Sequence, residues 1–443
     1  MRFVDLYDET VESKGSILCV GLDPPVERFS TAREKTDFCL EIIERVGKNC
    51  CAVKVNENFV RDLSIEHHLE ITERAKSKNL IRIYDCKVSD ITNTSLAGVQ
   101  LVKRMGYDAL TVNPILGNLS QITSEAHRLG LGVFALVLPS NPEAGKYYRK
   151  RMEDGLELYS HLLLDCVESG VDGVVVGLGP DLGPAEVSSI RKKLGDEVVV
   201  LFPGVGAQGG DLELAVRHGR SRILINVGRS IIMSSDPAAE SERFNDRIMG
   251  LVEFYEASEA ILGTEGAFNL LKEPVRLSSG KLSSYYIDCR AIYSDPVSRQ
   301  RVVKSMVRMI RRKVGDRRFK VVTTASAGIP IASIVADKFG VGLVYYRTEK
   351  KDHGLSKRIE GVVKEGEYFV GVDDLTTTGN TALECVRAVR ESGGVIDKYF
   401  VIFDRMEGAG ELLGSEGVEL YSLASMNDKF RELVEEHYKR RLP

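Results

Sequence analysis

The chain has no tryptophan, no C-x-x-C pair, no apolar run of membrane length and no excess of one charge. Its 8 cysteines lie mostly inside apolar segments, which is typical of buried thiols in a reducing compartment. A membrane span needs about 20 apolar residues, and the first residues do not resemble a secretory signal. We therefore expect a cytoplasmic protein that does not bind membranes.

The charge balance also limits the possible partners. The 60 Lys and Arg residues and 64 Asp and Glu residues give a formal net charge of -4. No overall basic field would draw the protein to nucleic acid, so an anionic ligand needs a local site. The 443 residues, 43% hydrophobic, are enough for two to three globular domains.

The first half of the chain alternates short apolar runs with helical stretches. Eight continuous apolar runs at this spacing predict a (β/α)8 TIM barrel, whose strands are covered on both faces. The polar segment 234–246 predicts a domain boundary, which gives domains of 1–245 and 246–443. The predicted strands are 17–22, 51–55, 80–85, 109–113, 132–138, 173–177, 197–204 and 222–228.

The second half has a different pattern. A helix at about 248–262 precedes a hairpin at 275–288 and a long basic helix at 297–313. Strands separated by helical segments then predict an open, doubly wound α/β sheet. These strands are 321–325, 342–347, 368–374 and 398–404.

Charged side chains follow several strands of the predicted barrel. Asp85 and Lys87 leave the third strand, and the two-residue period of a strand predicts that they face the same way. Lys54 and Asp23 end two earlier strands on the same rim. A lysine held among carboxylates stays protonated and can donate a proton to a carbanion. Separate surface salt bridges at the strand ends are the alternative interpretation.

Two glycine-rich segments follow the seventh and eighth strands, where barrels commonly bind phosphate. They are PGVGAQGG at 203–210 and NVGRS at 226–230. Gly228 and Arg229 are the natural phosphate donors, and Gln208 extends from the preceding loop.

Six motifs of this half, taken in order, resemble orotidine 5'-phosphate decarboxylase across about residues 1–245. That resemblance implies removal of CO2 from orotidine 5'-monophosphate (OMP) to give UMP, without cofactor or metal. The motifs are VGLDP (20–24), VKVN (53–56), DCKVSDITNT (85–94), SNP (140–142), PGVGAQGGD (203–211) and VGRS (227–230).

The resemblance also implies roles for individual residues. Asp23 and Lys54 contact the ribose, Asp85 faces the departing carboxylate, and Lys87 protonates C6. The dimer partner supplies the residues that match Asp90 and Thr94. The remaining expected substrate contacts are Ser140 and Gln208 at the pyrimidine, Arg229 at the phosphate, and Ile91, Pro203 and Gly228.

Another branch of the superfamily is the nearest alternative. Hexulose-phosphate synthases and keto-gulonate-phosphate decarboxylases share the D-x-K-x-x-D pattern but use Mg²⁺. An acidic metal ligand stands in those enzymes where this chain has Lys54, and a lysine would repel the ion.

The second half contains the segment GVDDLTTTGNT at 371–381, which joins an apolar strand to a helix. Backbone amides of a glycine-containing turn at a helix N-terminus suit a phosphate. The carboxylates of Asp373 and Asp374 suit ribose hydroxyls or a Mg²⁺ held on pyrophosphate. The expected phosphate-binding residues are Thr377, Thr378, Gly379, Asn380 and Thr381.

This segment resembles the PRPP-binding signature of type I phosphoribosyltransferases, and its neighbours resemble orotate phosphoribosyltransferase over about 250–443. The resemblance implies that Arg405 pairs with the orotate carboxylate, and that Arg347, Lys351 and His353 belong to a mobile catalytic loop. Tyr285 and Tyr286 lie on a hairpin that could cover the base. The neighbouring motifs are SSGKLSSYYID (278–288), TASAGIP (324–330), RTEKKDHG (347–354) and FDRMEG (403–408).

Three lysines that are usual in that family are replaced here by Ser278, Ala327 and Thr348. The loss should weaken PRPP binding or slow transfer, although Lys281 or Lys350 could substitute. The second half is therefore an active orotate phosphoribosyltransferase, a weakened transferase for another base, or a non-catalytic module that regulates or dimerises.

The two resemblances together match the bifunctional UMP synthase family, with the halves reversed relative to the animal enzyme. The implied ligands are OMP, UMP, orotate and PRPP with Mg²⁺, and the implied assembly is a homodimer or tetramer with shared sites. A pure binding protein on two enzyme-like folds is the contrasting class. Two other features favour surface positions, namely His67 with His68 and the basic cluster 311–320.

Overall fold

The computed structural model describes residues 2–206, 210–276, 282–348 and 358–439. The chain forms two compact units, Met1–Leu251 and Val252–Pro443.

The first unit contains a closed barrel of eight parallel strands in sequential order. The last strand pairs with the first, which closes the sheet. The predicted TIM barrel is confirmed. Its strands are β1 (Leu18–Leu22), β2 (Ala52–Asn56), β3 (Ile81–Val88), β4 (Ala109–Val112), β5 (Gly132–Leu138), β6 (Gly173–Val176), β7 (Val199–Pro203) and β8 (Ile223–Val227).

Helices alternate with these strands, as expected of a parallel barrel. The apolar strands form a core, and β5 is buried along its whole length. The helices of this unit are α1 (Phe3–Lys14), α2 (Ala32–Val46), α3 (Glu57–Val60), α4 (Ile65–Ser77), α5 (Thr92–Arg104), α6 (Leu119–Arg128), α7 (Gly145–Tyr148), α8 (Leu158–Glu168), α9 (Pro184–Leu194), α10 (Leu212–Gly219) and α11 (Arg229–Ile232), with 3-10 turns at Pro114–Leu116 and Pro142–Ala144.

Helix α1 closes the amino-terminal end of the barrel. Phe3 packs so tightly on the first residue of β5 that a Cβ on Gly132 would lie 2.5 Å from its ring. The Tyr7 hydroxyl donates a hydrogen bond of 2.9 Å to the Ile223 carbonyl at the start of β8. The carboxyl-terminal end of the barrel is therefore the end that can hold a site.

Helix α4 carries His67 and His68, which were both expected at the surface. For His68 that expectation is wrong. His68 is buried on the same face as Ile71 and Ala75, as the helical period dictates. Its Nδ1 lies 2.9 Å from the Tyr107 hydroxyl. Burial lowers the pKa of His68 to about 4, so this residue is a neutral core histidine.

Helix α12 (Pro237–Gly263) contains the division between the two units. The Asp236 carboxylate accepts hydrogen bonds from the backbone N–H groups of Ala238 and Ala239, and Pro237 takes the first helical position. The helix therefore begins well before the expected 248. The polar segment 234–246 is mostly helical, and the expected boundary after residue 245 falls inside the helix.

The second unit contains a six-stranded sheet in the order β13-β12-β11-β14-β15-β16, and a separate hairpin. The pairs are parallel except for the antiparallel edge pair β12–β13. This mixed, doubly wound sheet confirms the predicted fold, although its short edge strand β13 and last strand β16 were not predicted. The strands are β9 (Phe268–Arg276), β10 (Leu282–Ile287), β11 (Lys320–Thr324), β12 (Leu343–Tyr346), β13 (Ile359–Glu360), β14 (Tyr368–Thr376), β15 (Val395–Asp404) and β16 (Glu419–Ser425).

The helices of the second unit pack against this sheet around buried Tyr346, Phe369 and Tyr399. None of the helices in the four described ranges is long and apolar enough to cross a membrane. The remaining helices are α13 (Pro296–Val314), α14 (Ile329–Phe339), α15 (Asn380–Glu391), α16 (Ala409–Gly414) and α17 (Asp428–Lys439), with a 3-10 turn at Cys289–Ser294.

Charged side chains join the last turns of α12 to α13. Arg312 donates two hydrogen bonds, of 2.7 and 2.8 Å, to the buried Glu253 carboxylate. Farther along, Glu256 pairs with Arg308. The basic cluster 311–320 was expected to be a solvated helix end. Arg312 departs from that expectation, because its side chain is only 10% exposed and pairs with Glu253.

Candidate active sites

A cavity of about 280 Å³ opens at the carboxyl-terminal ends of the barrel strands. Eight of the expected residues line it together, although they come from six different strands and the loops that follow them. They are Asp23, Lys54, Asp85, Lys87, Ser140, Pro203, Gly228 and Arg229. Five further polar residues, which were not among the expected site residues, also line it. They are Asn56, Thr111, Asn141, Asn226 and Ser230.

The expected charge network is present around Asp85. Its Oδ2 lies 2.6 Å from Lys54 Nζ, and its Oδ1 lies 2.7 Å from Lys87 Nζ. The side chains of Lys54 and Asp85 are only 6% and 10% exposed, whereas that of Lys87 is 41% exposed. One carboxylate thus binds a buried cation on one side and an accessible cation on the other.

Burial and charge act against each other in this network. Burial alone would raise the pKa of Asp85, but Lys54 and Lys87 override it and hold that pKa well below 3.8. Burial tends to lower the pKa of Lys54, but Asp85 and Asp23 raise it above its ordinary value. Burial raises the pKa of Asp23. The Asp85 carboxylate and the Lys54 ammonium are therefore both charged at neutral pH.

Asp85 and Lys87 meet for a different reason from the one expected. Strand alternation does not account for it, because Lys87 has a left-handed backbone with φ of 48°. The register of β3 against β4 shifts between Tyr84 and Val88, so the end of β3 bulges. The bulge turns both side chains toward the cavity.

Asp90, Ile91 and Thr94 lie outside the cavity of their own chain. All three are exposed, and the Asp90 carboxylate accepts a hydrogen bond of 2.7 Å from the Ile91 N–H. Thr94 lies in the first turn of α5. Gln208 falls outside the described residues.

The loop after β8 approaches the end of β1 closely. A Cβ on Gly21, in β1, would lie 3.2 Å from the Cα of Gly228, which is closer than an ordinary contact, so this position favours glycine. Arg229 is exposed at the rim, and its guanidinium makes no hydrogen bond or ion pair with any part of the chain that the structure describes. The cavity therefore combines a buried charge network with an accessible guanidinium.

In the second unit, Asp373 is fully engaged by hydroxyl groups. Its Oδ1 accepts a hydrogen bond of 3.2 Å from Thr323, and its Oδ2 accepts bonds of 2.7 Å from both Thr324 and Tyr399. A Cβ on Gly328 would lie 1.6 Å from Asp373 Oδ1, so the TASAGIP loop is packed directly on this carboxylate. Asp373 therefore anchors the loop.

Asp374 is the carboxylate better suited to a ligand. Burial raises its pKa to about 6, while the backbone N–H of Leu375 and the charge of Arg290 oppose the rise. Burial raises the pKa of Asp373 to about 7. No three His, Cys, Asp or Glu side chains within the described ranges are placed to hold a metal ion. A Mg²⁺ would therefore need ligands from the substrate, which is how this ion is often held.

The expected phosphate loop joins β14 to α15. Gly379 has φ of 83°, and a Cβ there would lie 2.9 Å from the Ala409 Cα, so both the backbone and the space require glycine. Thr377 and Thr378 are half-buried, and Asn380 Nδ2 donates a 3.2 Å hydrogen bond to Thr378. Thr381 is exposed on the first turn of α15.

Arg405 and Tyr285 form one cluster. The Arg405 guanidinium lies 4.9 Å from the centre of the Tyr285 ring, which also stacks on Phe268 at 5.8 Å. Arg405 Nε donates a 3.1 Å hydrogen bond to Glu407. Tyr285 therefore supports Arg405, whereas Tyr286, the next residue along β10, lies on the opposite face of the hairpin and is 41% exposed.

Arg347 follows β12 and pairs with Glu360 at 3.3 Å. The expected loop residues Lys351 and His353 fall outside the described ranges. So do Ser278, Lys281 and Lys350, and their contacts stay predictions.

The sequence profile of the orotidine 5'-phosphate decarboxylase / HUMPS family matches residues 16–244, more than half of the chain. The chain belongs to this family. The orotidine 5'-phosphate decarboxylase of Thermomicrobium roseum is 35% identical over 264 residues, which cover 55% of this chain and 92% of that protein. The matched profile covers both the decarboxylases and the HUMPS enzymes.

The second half also has clear relatives. A phosphoribosyl transferase domain profile matches residues 293–416. The orotate phosphoribosyltransferase of Methanocaldococcus jannaschii is 39% identical over 167 residues, which cover 36% of this chain and 93% of that protein. The chain thus fuses a decarboxylase-family barrel to an orotate phosphoribosyltransferase domain.

One solved structure spans both halves. The UMP synthase of Leishmania donovani is similar across 96% of this chain and 94% of its own, with 27% identity and a TM-score of 0.50. The expected resemblance to bifunctional UMP synthase is confirmed.

Proposed function

We propose that this chain forms OMP from orotate and PRPP in its second unit and decarboxylates OMP to UMP in its first. The observation that carries the proposal is the Asp85 carboxylate held between two lysine ammonium groups at 2.6 and 2.7 Å. Fixed charges of this kind act on a reaction in which negative charge moves from a carboxylate to the carbon that loses it, while neutral CO2 leaves.

The decarboxylation follows from the placement of the two charges. The substrate carboxylate lies beside the ionised Asp85, which disfavours the bound carboxylate and favours its loss. The C6–carboxyl bond breaks, CO2 leaves, and the electron pair stays on C6. Lys87 then donates a proton from Nζ to C6 and gives UMP. A site that favours the transition state over the ground state is what catalysis requires.

The remaining cavity residues hold the rest of OMP. Asp23 and Lys54 bind the ribose hydroxyls, and Gly228 with Arg229 binds the phosphate, joined by Gln208. Ser140 and Pro203 contact the pyrimidine. Lys54 also argues against the Mg²⁺-dependent branch of the family. Its buried ammonium stands where those enzymes carry an acidic metal ligand, and it would repel the ion.

A partner subunit completes this site in our proposal. Asp90, Ile91 and Thr94 are exposed beside the cavity mouth and would enter the neighbouring chain's site. The side chains of Ile91, Ile115 and Leu116 are 70%, 47% and 53% exposed, and an apolar surface of this kind favours a homodimer contact. The transferase unit could add a second contact and give a tetramer.

In the transferase reaction, an orotate ring nitrogen attacks C1 of the ribose and pyrophosphate leaves. Arg405, supported by Tyr285, binds the orotate carboxylate, and the 377–381 loop binds the 5'-phosphate. Asp374 binds the ribose hydroxyls or a Mg²⁺ carried by PRPP, and Arg347, Lys351 and His353 approach the pyrophosphate. When bound, Mg²⁺ neutralises charge on the leaving pyrophosphate.

A second candidate for this unit is a non-catalytic module. The observation that favours it is the pair Ala327 and Thr348, which stand where the family often carries lysines. Each lost charged hydrogen bond would cost on the order of 1–3 kcal/mol.

The test supplies the purified chain with orotate, PRPP and Mg²⁺, and separately with OMP and EDTA. We expect pyrophosphate release in the first assay and CO2 release in the second. Lys87→Ala should abolish CO2 release and leave pyrophosphate formation intact, whereas Arg405→Ala should do the reverse. CO2 release without pyrophosphate would favour the non-catalytic module, and undiminished CO2 release by Lys87→Ala would refute the decarboxylase assignment.

A further inference from the structure

The bulge at the end of β3 faces a single residue of β4. Tyr84 pairs with Leu110 and Val88 pairs with Val112, so residues 85–87 stand opposite Thr111 alone. Extra residues in a bulge have no regular ladder partners. Asp85 keeps its ladder partner Asn56 on β2, whereas no residue of either neighbouring strand pairs with Lys87. The backbone of Lys87, the proposed proton donor, is therefore not held by the sheet ladder.

The Thr111 side chain takes the place of the missing ladder bonds. Its hydroxyl oxygen accepts a 2.9 Å hydrogen bond from the Lys87 N–H, and the hydroxyl donates a 3.0 Å bond to Asp85 Oδ1. A backbone N–H can only donate, so the single hydroxyl proton goes to the carboxylate. Thr111 is 1% exposed, which protects both bonds from water.

These two bonds fix the relation between Asp85 and Lys87. The left-handed conformation of Lys87, with φ of 48°, is unfavourable for a lysine and needs support from its surroundings. The bond to its N–H supplies that support. The second bond fixes the Asp85 oxygen that lies 2.7 Å from Lys87 Nζ.

We propose that Thr111 is a positioning residue for decarboxylation, which sets both the backbone of Lys87 and the rotation of the Asp85 carboxylate. This inference rests on the proposed function of the barrel. Without the hydroxyl, the Lys87 backbone can relax away from its left-handed conformation, and Asp85 keeps only its lysine partners. The ammonium then moves relative to the carbon that it must protonate.

The test compares three replacements of Thr111 in the full chain. Thr111→Val keeps the shape and removes the hydroxyl, Thr111→Ala removes the hydroxyl and one methyl group, and Thr111→Ser keeps the hydroxyl. Thr123→Val is the matched control, because Thr123 is a buried threonine of α6 whose hydroxyl has no partner in the described part of the chain.

We expect Thr111→Val and Thr111→Ala to lower kcat for decarboxylation roughly 10- to 100-fold, the effect of a displacement of about 1 Å at a reacting group. KM for OMP should change less than about threefold, because the phosphate and pyrimidine contacts lie on other strands. Thr111→Ser should stay within a few-fold of the wild type, and Thr123→Val should be unchanged.

Several outcomes would overturn the proposal. One is a wild-type kcat in Thr111→Val. Another is an equal loss in Thr111→Ser, or a loss in Thr111→Val and Thr123→Val alike, either of which would mean a general packing role. A wild-type chain that releases no CO2 from OMP would instead refute the decarboxylase function itself.

Discussion

The two lysines that contact Asp85 should differ sharply in what they contribute to stability. Lys54 and Asp85 form a buried pair, with side chains 6% and 10% exposed, whereas Lys87 is 41% exposed. We expect Lys54→Met to destabilise the barrel strongly and Lys87→Met to leave its stability almost unchanged. Both substitutions should abolish decarboxylation.

The magnitudes follow from burial. Lys54→Met leaves the buried Asp85 with Lys87, which is partly exposed, as its lysine partner, and the loss of one partner of a buried ion pair costs roughly 3–5 kcal/mol. An exposed pair contributes about 0–1 kcal/mol. We therefore expect the free energy of unfolding to fall about 3–5 kcal/mol in Lys54→Met and less than about 1 kcal/mol in Lys87→Met.

The same pair also predicts a pH dependence. Its lysines lower the pKa of Asp85 below 3.8, so the stabilisation is present above the unfolded pKa and is lost as pH falls toward the folded one. Lys54→Met should therefore lose less stability than the wild type when the pH falls below about 4.

The assay is urea unfolding at pH 7, followed by far-UV circular dichroism because the chain has no tryptophan. Two units need not unfold together. The barrel transition is the one that UMP shifts to higher urea. Equal losses in the two variants, or a loss below about 1 kcal/mol in Lys54→Met, would refute the reasoning.

Three further predictions concern the transferase unit. Glu253→Ala leaves Arg312 buried without this carboxylate and should lower the free energy of unfolding of that unit by about 3–5 kcal/mol in the same urea assay. The control is Glu259→Ala, which removes a half-exposed pair with Arg301 and should cost less than about 1 kcal/mol. Burial raises the pKa of Asp374 to about 6, so the ionised fraction of this carboxylate should rise from pH 5 to pH 7. The affinity for Mg²⁺ and PRPP, measured by calorimetry, should rise with it, and Asp374→Asn should remove that rise. Tyr285→Leu should raise KM for orotate roughly tenfold by releasing the guanidinium that the ring supports, whereas Tyr285→Phe should not, and equal effects of the two would contradict the supporting role.

The barrel could be predicted because its strands are continuous apolar runs at regular spacing. The positions of Lys54, Asp85 and Arg229 follow, since strand ends meet at one rim of such a barrel. The bulge could not be predicted, because nothing in the letters D-C-K shows a register shift against β4. Thr111 was missed for the same reason, as its importance depends on what stands opposite it.

Two other features depend on what surrounds a residue in the fold. Asp373 and Asp374 are adjacent acids in the sequence, but only the sheet shows that hydroxyls of two strands surround the first. The polar segment 234–246, most of which forms the first turns of α12, was interpreted as a boundary because its composition resembles a linker. Asp236 and Pro237 are helix-start residues that could have given the correct interpretation.

The left-handed backbone of Lys87 lowers the stability of the barrel, although the proposed activity requires a lysine at this position. Glycine adopts a left-handed conformation without the cost that a lysine bears, about 1–2 kcal/mol. A Lys87→Gly change would relieve that cost and remove the proton donor in one step. Selection for stability alone would therefore favour an inactive variant at this position. A screen for variants with higher thermal stability must also select for turnover.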